Sequence, residues 1–222
     1  MKYLSIVGLY LMAALVVGAV AVGSASAALP EFKTTGSFPV TFTSVSALPL
    51  GPTFKTLAIE VKCKMATVKG EVGGAKLVSK VVFTYTECTT ILAGIGTVGC
   101  KSAGQTGNTI VTLPTMAELG YINKAIPTVG LLFHPEAAGT TVIVEFPCSI
   151  ITVRVIGNVI GLASPLNSLQ TTGRVEFTPA QMGQVEKNLE GGPTDKLELL
   201  GEEVSIMDTE EETFSSAVEL KA

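Results

Sequence analysis

Tryptophan is missing from this chain, histidine occurs once, as His134, and aspartate occurs only at Asp195 and Asp208. Histidine-rich zinc sites need several imidazoles, and a Ser-His-Asp triad needs a histidine and an aspartate brought together. The inventory for acid–base chemistry is therefore poor, and no cofactor is expected. Charged residues make up only 15% of the 222 residues, against about 25% in an average domain. Aromatics, at 6%, are too few for the girdles of an outer-membrane barrel. Neither half is basic enough to suggest nucleic acid as a partner. The net charge of −4 is unevenly spread. Residues 28–185 hold eleven Lys or Arg and eight Glu, whereas residues 186–222 hold eleven acids and three lysines.

The one long apolar run lies at the start. Lys2 gives a single positive charge, Tyr3 to about Val22 is uncharged, and small residues follow to Ala25-Ser26-Ala27. A small-x-small ending after an apolar core is what a signal peptidase accepts. Residues 1–27 are thus expected to be an export signal, cut after Ala27, with membrane contact only through this segment if it is retained. The first cysteine is Cys63, so the lipoprotein route is not indicated. Residues 28–222 are long enough for one domain with a substantial core.

What the chain does have is alternation. Leu57, Ile59, Val61, Cys63 and Met65 share one parity, and Ala58, Glu60, Lys62, Lys64 and Ala66 the other, the period-2 pattern of a half-buried strand. Phe38 to Phe42 gives a shorter strand. Gly73-Gly74 signals a hairpin before a β-branched run over 76–88. Further strand patterns cover 109–113, 116–122, 129–134, 141–148, 150–160 and 174–177, whereas 179–188 suits a helical turn or two. Beyond Gly191-Gly192-Pro193, short strands around an acidic turn at Asp208 to Glu212 suggest a small meander, packed on the domain or partly solvated. Ten to twelve short strands without a βαβ helix predict an all-β, single-domain antiparallel sandwich or closely related barrel.

Four cysteines in an exported chain read as disulfides. Cys88 and Cys100 flank a glycine-rich loop, and Cys63 and Cys148 fall on apolar strand faces, so the expected pairs are Cys88–Cys100 and Cys63–Cys148. Gly94-Ile95-Gly96-Thr97-Val98-Gly99 matches the dinucleotide fingerprint in letters, but no helix is in prospect after it to hold a pyrophosphate. His134-Pro135-Glu136 offers two ligands and no third. Glu118, Glu145 and Glu176 are candidates for a glycosidase pair, each at a position that faces solvent. The acidic turn lacks the spacing of a calcium loop.

Ala25 to Phe32, Thr84-Tyr85-Thr86-Glu87-Cys88, Gly99-Cys100-Lys101-Ser102, Glu118-Leu119-Gly120-Tyr121-Ile122, Val129-Gly130-Leu131-Leu132, Glu145-Phe146-Pro147-Cys148 and Val155 to Gly161 stand out as segments. Together they resemble an uncharacterised family of secreted bacterial β-proteins. The resemblance implies export and no assigned activity. The resulting expectation is a non-enzymatic, extracellular or cell-surface interaction or structural module with an unknown partner. The alternative is a carbohydrate-active hydrolase using paired glutamates.

Overall fold

A computed structural model describes residues 30–222, so the expected signal and its cleavage point lie outside the described residues. Among the described residues, strands follow one another without a helix. They are β1 (Glu31–Thr34), β2 (Val40–Ser46), β3 (Thr53–Lys55), β4 (Glu60–Lys62), β5 (Met65–Val72) and β6 (Leu77–Thr86). Next come β7 (Thr89–Leu92), β8 (Gly96–Gly99), β9 (Ile110–Val111), β10 (Thr115–Asn123), β11 (Thr128–Pro135) and β12 (Val142–Cys148). The last six are β13 (Ile151–Gly157), β14 (Val159–Ser164), β15 (Leu169–Phe177), β16 (Leu197–Leu199), β17 (Glu202–Glu203) and β18 (Ser205–Lys221).

Eight of these close into an antiparallel barrel in the order β2, β5, β6, β10, β11, β14, β15, β18, with β18 pairing back onto β2. Between the two architectures expected from the sequence, the molecule adopts the barrel. Barrel neighbours are also consecutive along the chain once the other strands are set aside, so this is an up-and-down meander with insertions. In such a meander, alternate connections fall at the same end. The short ones, 73–76, 124–127 and 165–168, share one end, and the long ones, 47–64, 87–114, 136–158 and 178–204, leave from the other.

Local chemistry explains the short turns. Asn123 Oδ1 accepts the backbone N–H groups of Ala125 and Ile126 at 2.9 and 3.1 Å, an Asx turn that reverses β10 into β11. The long connections build a cap from two small sheets. One runs from the start of β18 through β3, β4 and β7 to β8, and the other is β12-β13-β16-β17. The fourth connection also lies along the outer wall, where Glu190 N–H donates to the Tyr121 carbonyl at 2.6 Å and Leu189 packs over Gly120.

Alternation fills the barrel with side chains. Val40, Phe42, Val68, Val81, Phe83, Leu119, Leu131, Phe133, Val175 and Phe177 are all buried, each worth about 1.5–3 kcal/mol if fully removed from water. Phe83 lies between Tyr85, Phe133 and Phe177 with ring centroids 5.7 to 6.3 Å apart, and Phe54 from the cap meets Tyr85 edge-on at 4.8 Å. This aromatic cluster joins barrel to cap. The space left at the junction, about 30 Å³, has room for one water.

Two strand expectations need correction. The alternation over 57–66 is not one strand: Leu57 and Met65 are exposed, and the inward parity changes from Ile59, Val61 and Cys63 to Ala66 and Val68. The chain passes there from the cap sheet into the barrel, so two sheets with different interiors meet within one pattern. Residues 179–188 form no helix; Pro179 and Gln184 make an isolated antiparallel bridge instead.

Candidate functional site

The cysteines are oxidised, but not in the expected pairs. Cys63 is bonded to Cys88 and Cys100 to Cys148. Register gives the reason. Lys62 lies opposite Thr89 and Met65 opposite Thr86, which aligns Cys63 with Cys88. Thr89 lies opposite Gly99, and Cys100 N–H donates to the Cys88 carbonyl at 2.9 Å. Cys100 in turn bridges to Cys148. The four form a row across neighbouring cap segments in the order 63, 88, 100, 148. Bonding the middle two would strand the outer two about three strand spacings apart, roughly 14 Å, beyond the reach of a disulfide. The expected burial of Cys63 and Cys148 holds, and Cys88 and Cys100 are buried as well.

Other sequence candidates are dispersed. The glycine-rich Gly94 to Gly99 segment is the tip and second strand of the β7–β8 hairpin. Glu118 and Glu176 stand on β10 and β15 with β11 and β14 between them, and Glu145 is in the cap sheet. Each is solvent-facing, as expected, with a charged neighbour: Glu118 lies 3.8 Å from His134, Glu145 3.5 Å from Arg154 and Glu176 3.4 Å from Arg174. Among the described residues no three His, Cys, Asp or Glu side chains are grouped to hold a metal.

The acidic run is not a turn. Residues 205–221 form one continuous strand, with alternate acids aimed inward. Asp208 and Glu210 are 1% and 2% exposed. Ser46 Oγ donates to Asp208 Oδ1 at 2.8 Å, Thr209 N–H donates to the same oxygen at 2.8 Å, and Ser44 Oγ donates to Glu210 Oε2 at 2.6 Å. Burial, and then the neighbouring Asp208, push the Glu210 carboxyl up to about 8. Burial alone pushes Glu212 up to about 7. Asp208 is also raised by burial, against the hydrogen bonds that favour its charge. The Tyr85 phenol is raised well above its ordinary value by burial and by these two carboxyls. One signal in the sequence did point here: no glycine or proline interrupts 202–222.

A ligand-sized hollow lies on the cap. Its floor is the outer face of the β18-β3-β4 sheet, where Met207, Thr53 and Lys62 form one cross-strand row and Ser205, Lys55 and Glu60 the next. Leu50 and Pro179-Ala180-Gln181 form the sides, enclosing about 610 Å³. Lys62 pairs with Glu60 at 3.3 Å, whereas Lys55 makes no ion pair among the described residues. The mixture of one free cation, hydroxyls, an amide and two apolar edges suits a polar or anionic ligand.

No family model matches the chain, and no curated protein or solved structure matches it either.

Proposed function

We propose that the chain is an exported, non-enzymatic binding module in which a closed barrel serves as scaffold and the cap carries the ligand surface. The observation that carries this reading is topological: all four long connections leave one end of the barrel, and the groove beside Lys55 is built from what they form. Connecting segments on a rigid scaffold are where binding usually resides. Two disulfides support an oxidising, extracytoplasmic setting. The separation of Glu118, Glu145 and Glu176 supports binding over glycoside hydrolysis, which needs two carboxylates about 5 to 10 Å apart.

Incubating the purified mature protein with a panel of neutral and acidic polysaccharides tests this, reading both retention and release of reducing ends. Retention without release is the expected result. Release that is lost in the Glu118→Gln, Glu145→Gln or Glu176→Gln variant would replace the reading with the hydrolase.

A further inference from the structure

Asp208 Oδ2 and Glu210 Oε1 are buried and have no hydroxyl, amide or cation as partner. The two carboxyls project from alternate residues of β18 onto the same inward face, within hydrogen-bonding reach of each other. Their remaining oxygens are taken by Ser46, Thr209 and Ser44. Two carboxylates facing each other in a dry interior repel, and an orphaned buried oxygen is costly. A proton placed between them removes both penalties at once. A calcium ion would need six to eight oxygens, and a hydrogen-bonded carboxyl pair leaves no space for an ion between its members.

We propose that Asp208 and Glu210 hold a single proton between them, and that this proton latches the closing strand β18 into the barrel wall. β18 pairs with β1, β2, β3 and β15, so it is the strand whose release opens the barrel. The groups facing the pair are Ser44 and Ser46 from β2, Tyr85 from β6 and Glu212 from β18 itself, with Val175 and Phe177 from β15. On the outer side, the Gln184 side chain donates to the Ile206 carbonyl. None of these is a cation. When the pair loses its proton to water, two negative charges remain in the interior with nothing of opposite sign against them, and the wall opens along β18.

The direct test is a carbon-13 NMR titration of the side-chain carboxyls in the wild-type protein. One carboxyl of the pair should remain protonated at neutral pH and lose its proton near pH 8. Both carboxyls ionised well below neutrality would overturn the proposal. Amide hydrogen exchange supplies the second readout. Opening of β18, corrected for intrinsic exchange, should rise with pH below the transition, by about tenfold per pH unit for the one proton the pair releases on opening, and level off above about pH 8. In Glu210→Gln, whose amide donates permanently to Asp208, the pair's share of that rise should be gone, leaving only the share of Glu212, which ends near pH 7. Equal pH dependence in wild type and variant would overturn the latch. So would millimolar calcium restoring wild-type protection at alkaline pH, because the pair would then be a cation site. If the variant does not fold, the wild-type titration and the calcium arm still decide.

Discussion

Cys100 lies directly opposite Cys148 across an isolated antiparallel bridge and is bonded to it. That bond ties the second long connection to the third, while Cys63–Cys88 ties the first to the second. Three of the four cap-forming connections are thereby held as one piece. Peptide mapping without reduction should recover fragments linking 63 to 88 and 100 to 148. A fragment linking 88 to 100 would contradict that register. The bonded positions are 25 and 48 residues apart, so removing either bond should cost about 3–4 kcal/mol, with the wider loop worth roughly half a kcal/mol more. Denaturant unfolding of Cys63→Ser/Cys88→Ser and Cys100→Ser/Cys148→Ser checks this.

Gly157 marks where the chain leaves the cap sheet for the barrel. Its φ is +103°, and a side chain there would run into the Lys196 carbonyl oxygen. Gly157→Ala should therefore lose about 1–3 kcal/mol of stability. Gly74→Ala, in the open hairpin turn where nothing lies within 4 Å of an added carbon, should change it by less than about 0.5 kcal/mol. Equal losses in thermal unfolding would show that the crossover is not a tight site.

The all-β class and the Gly73-Gly74 hairpin were legible because each rests on local pattern: period-2 burial, β-branched runs and turn residues. Closure of the barrel was not. It depends on β18 finding both β15 and β2, and the inward acids of β18 break the apolar alternation by which a strand is recognised. Asp208, Glu210 and Glu212 resemble a solvated turn until Ser44 and Ser46 are placed beside them. Disulfide pairing failed for a related reason. Burial of Cys63 and Cys148 follows from their own strands, but which cysteine lies opposite which depends on the register of segments distant in sequence. The groove joins the loops before β3 and after β15, which only the fold brings together.

Stability should fall as pH rises. Glu210 and Glu212 are raised in the folded state from 4.5 to about 8 and about 7, so the folded protein holds protons that the unfolded chain has released. Their contribution is complete below pH 4.5 and is lost as pH rises through 7 to 8. Melting temperature should therefore drop across that window, and Glu212→Gln should reduce the drop. A melting temperature that rises between pH 5 and pH 8 would contradict the inward placement of these side chains.

The exported protein should begin at Ala28, the residue after the Ala25-Ser26-Ala27 ending. N-terminal sequencing of material recovered outside the cytoplasm decides it. Recovery of an intact chain from Met1 in the membrane fraction would make the apolar segment an anchor.

Whether the cap is the working surface is tested most directly by amide chemical-shift mapping with whichever polysaccharide the protein retains. Shifts should gather at Thr53, Lys55, Lys62, Gln181 and Ser205, and Lys55→Glu should weaken binding at least tenfold, as loss of one charge-assisted contact of about 1.5–3 kcal/mol implies. Shifts confined to the opposite end of the barrel, around Pro165 and Ser168, with Lys55→Glu binding as wild type, would contradict it.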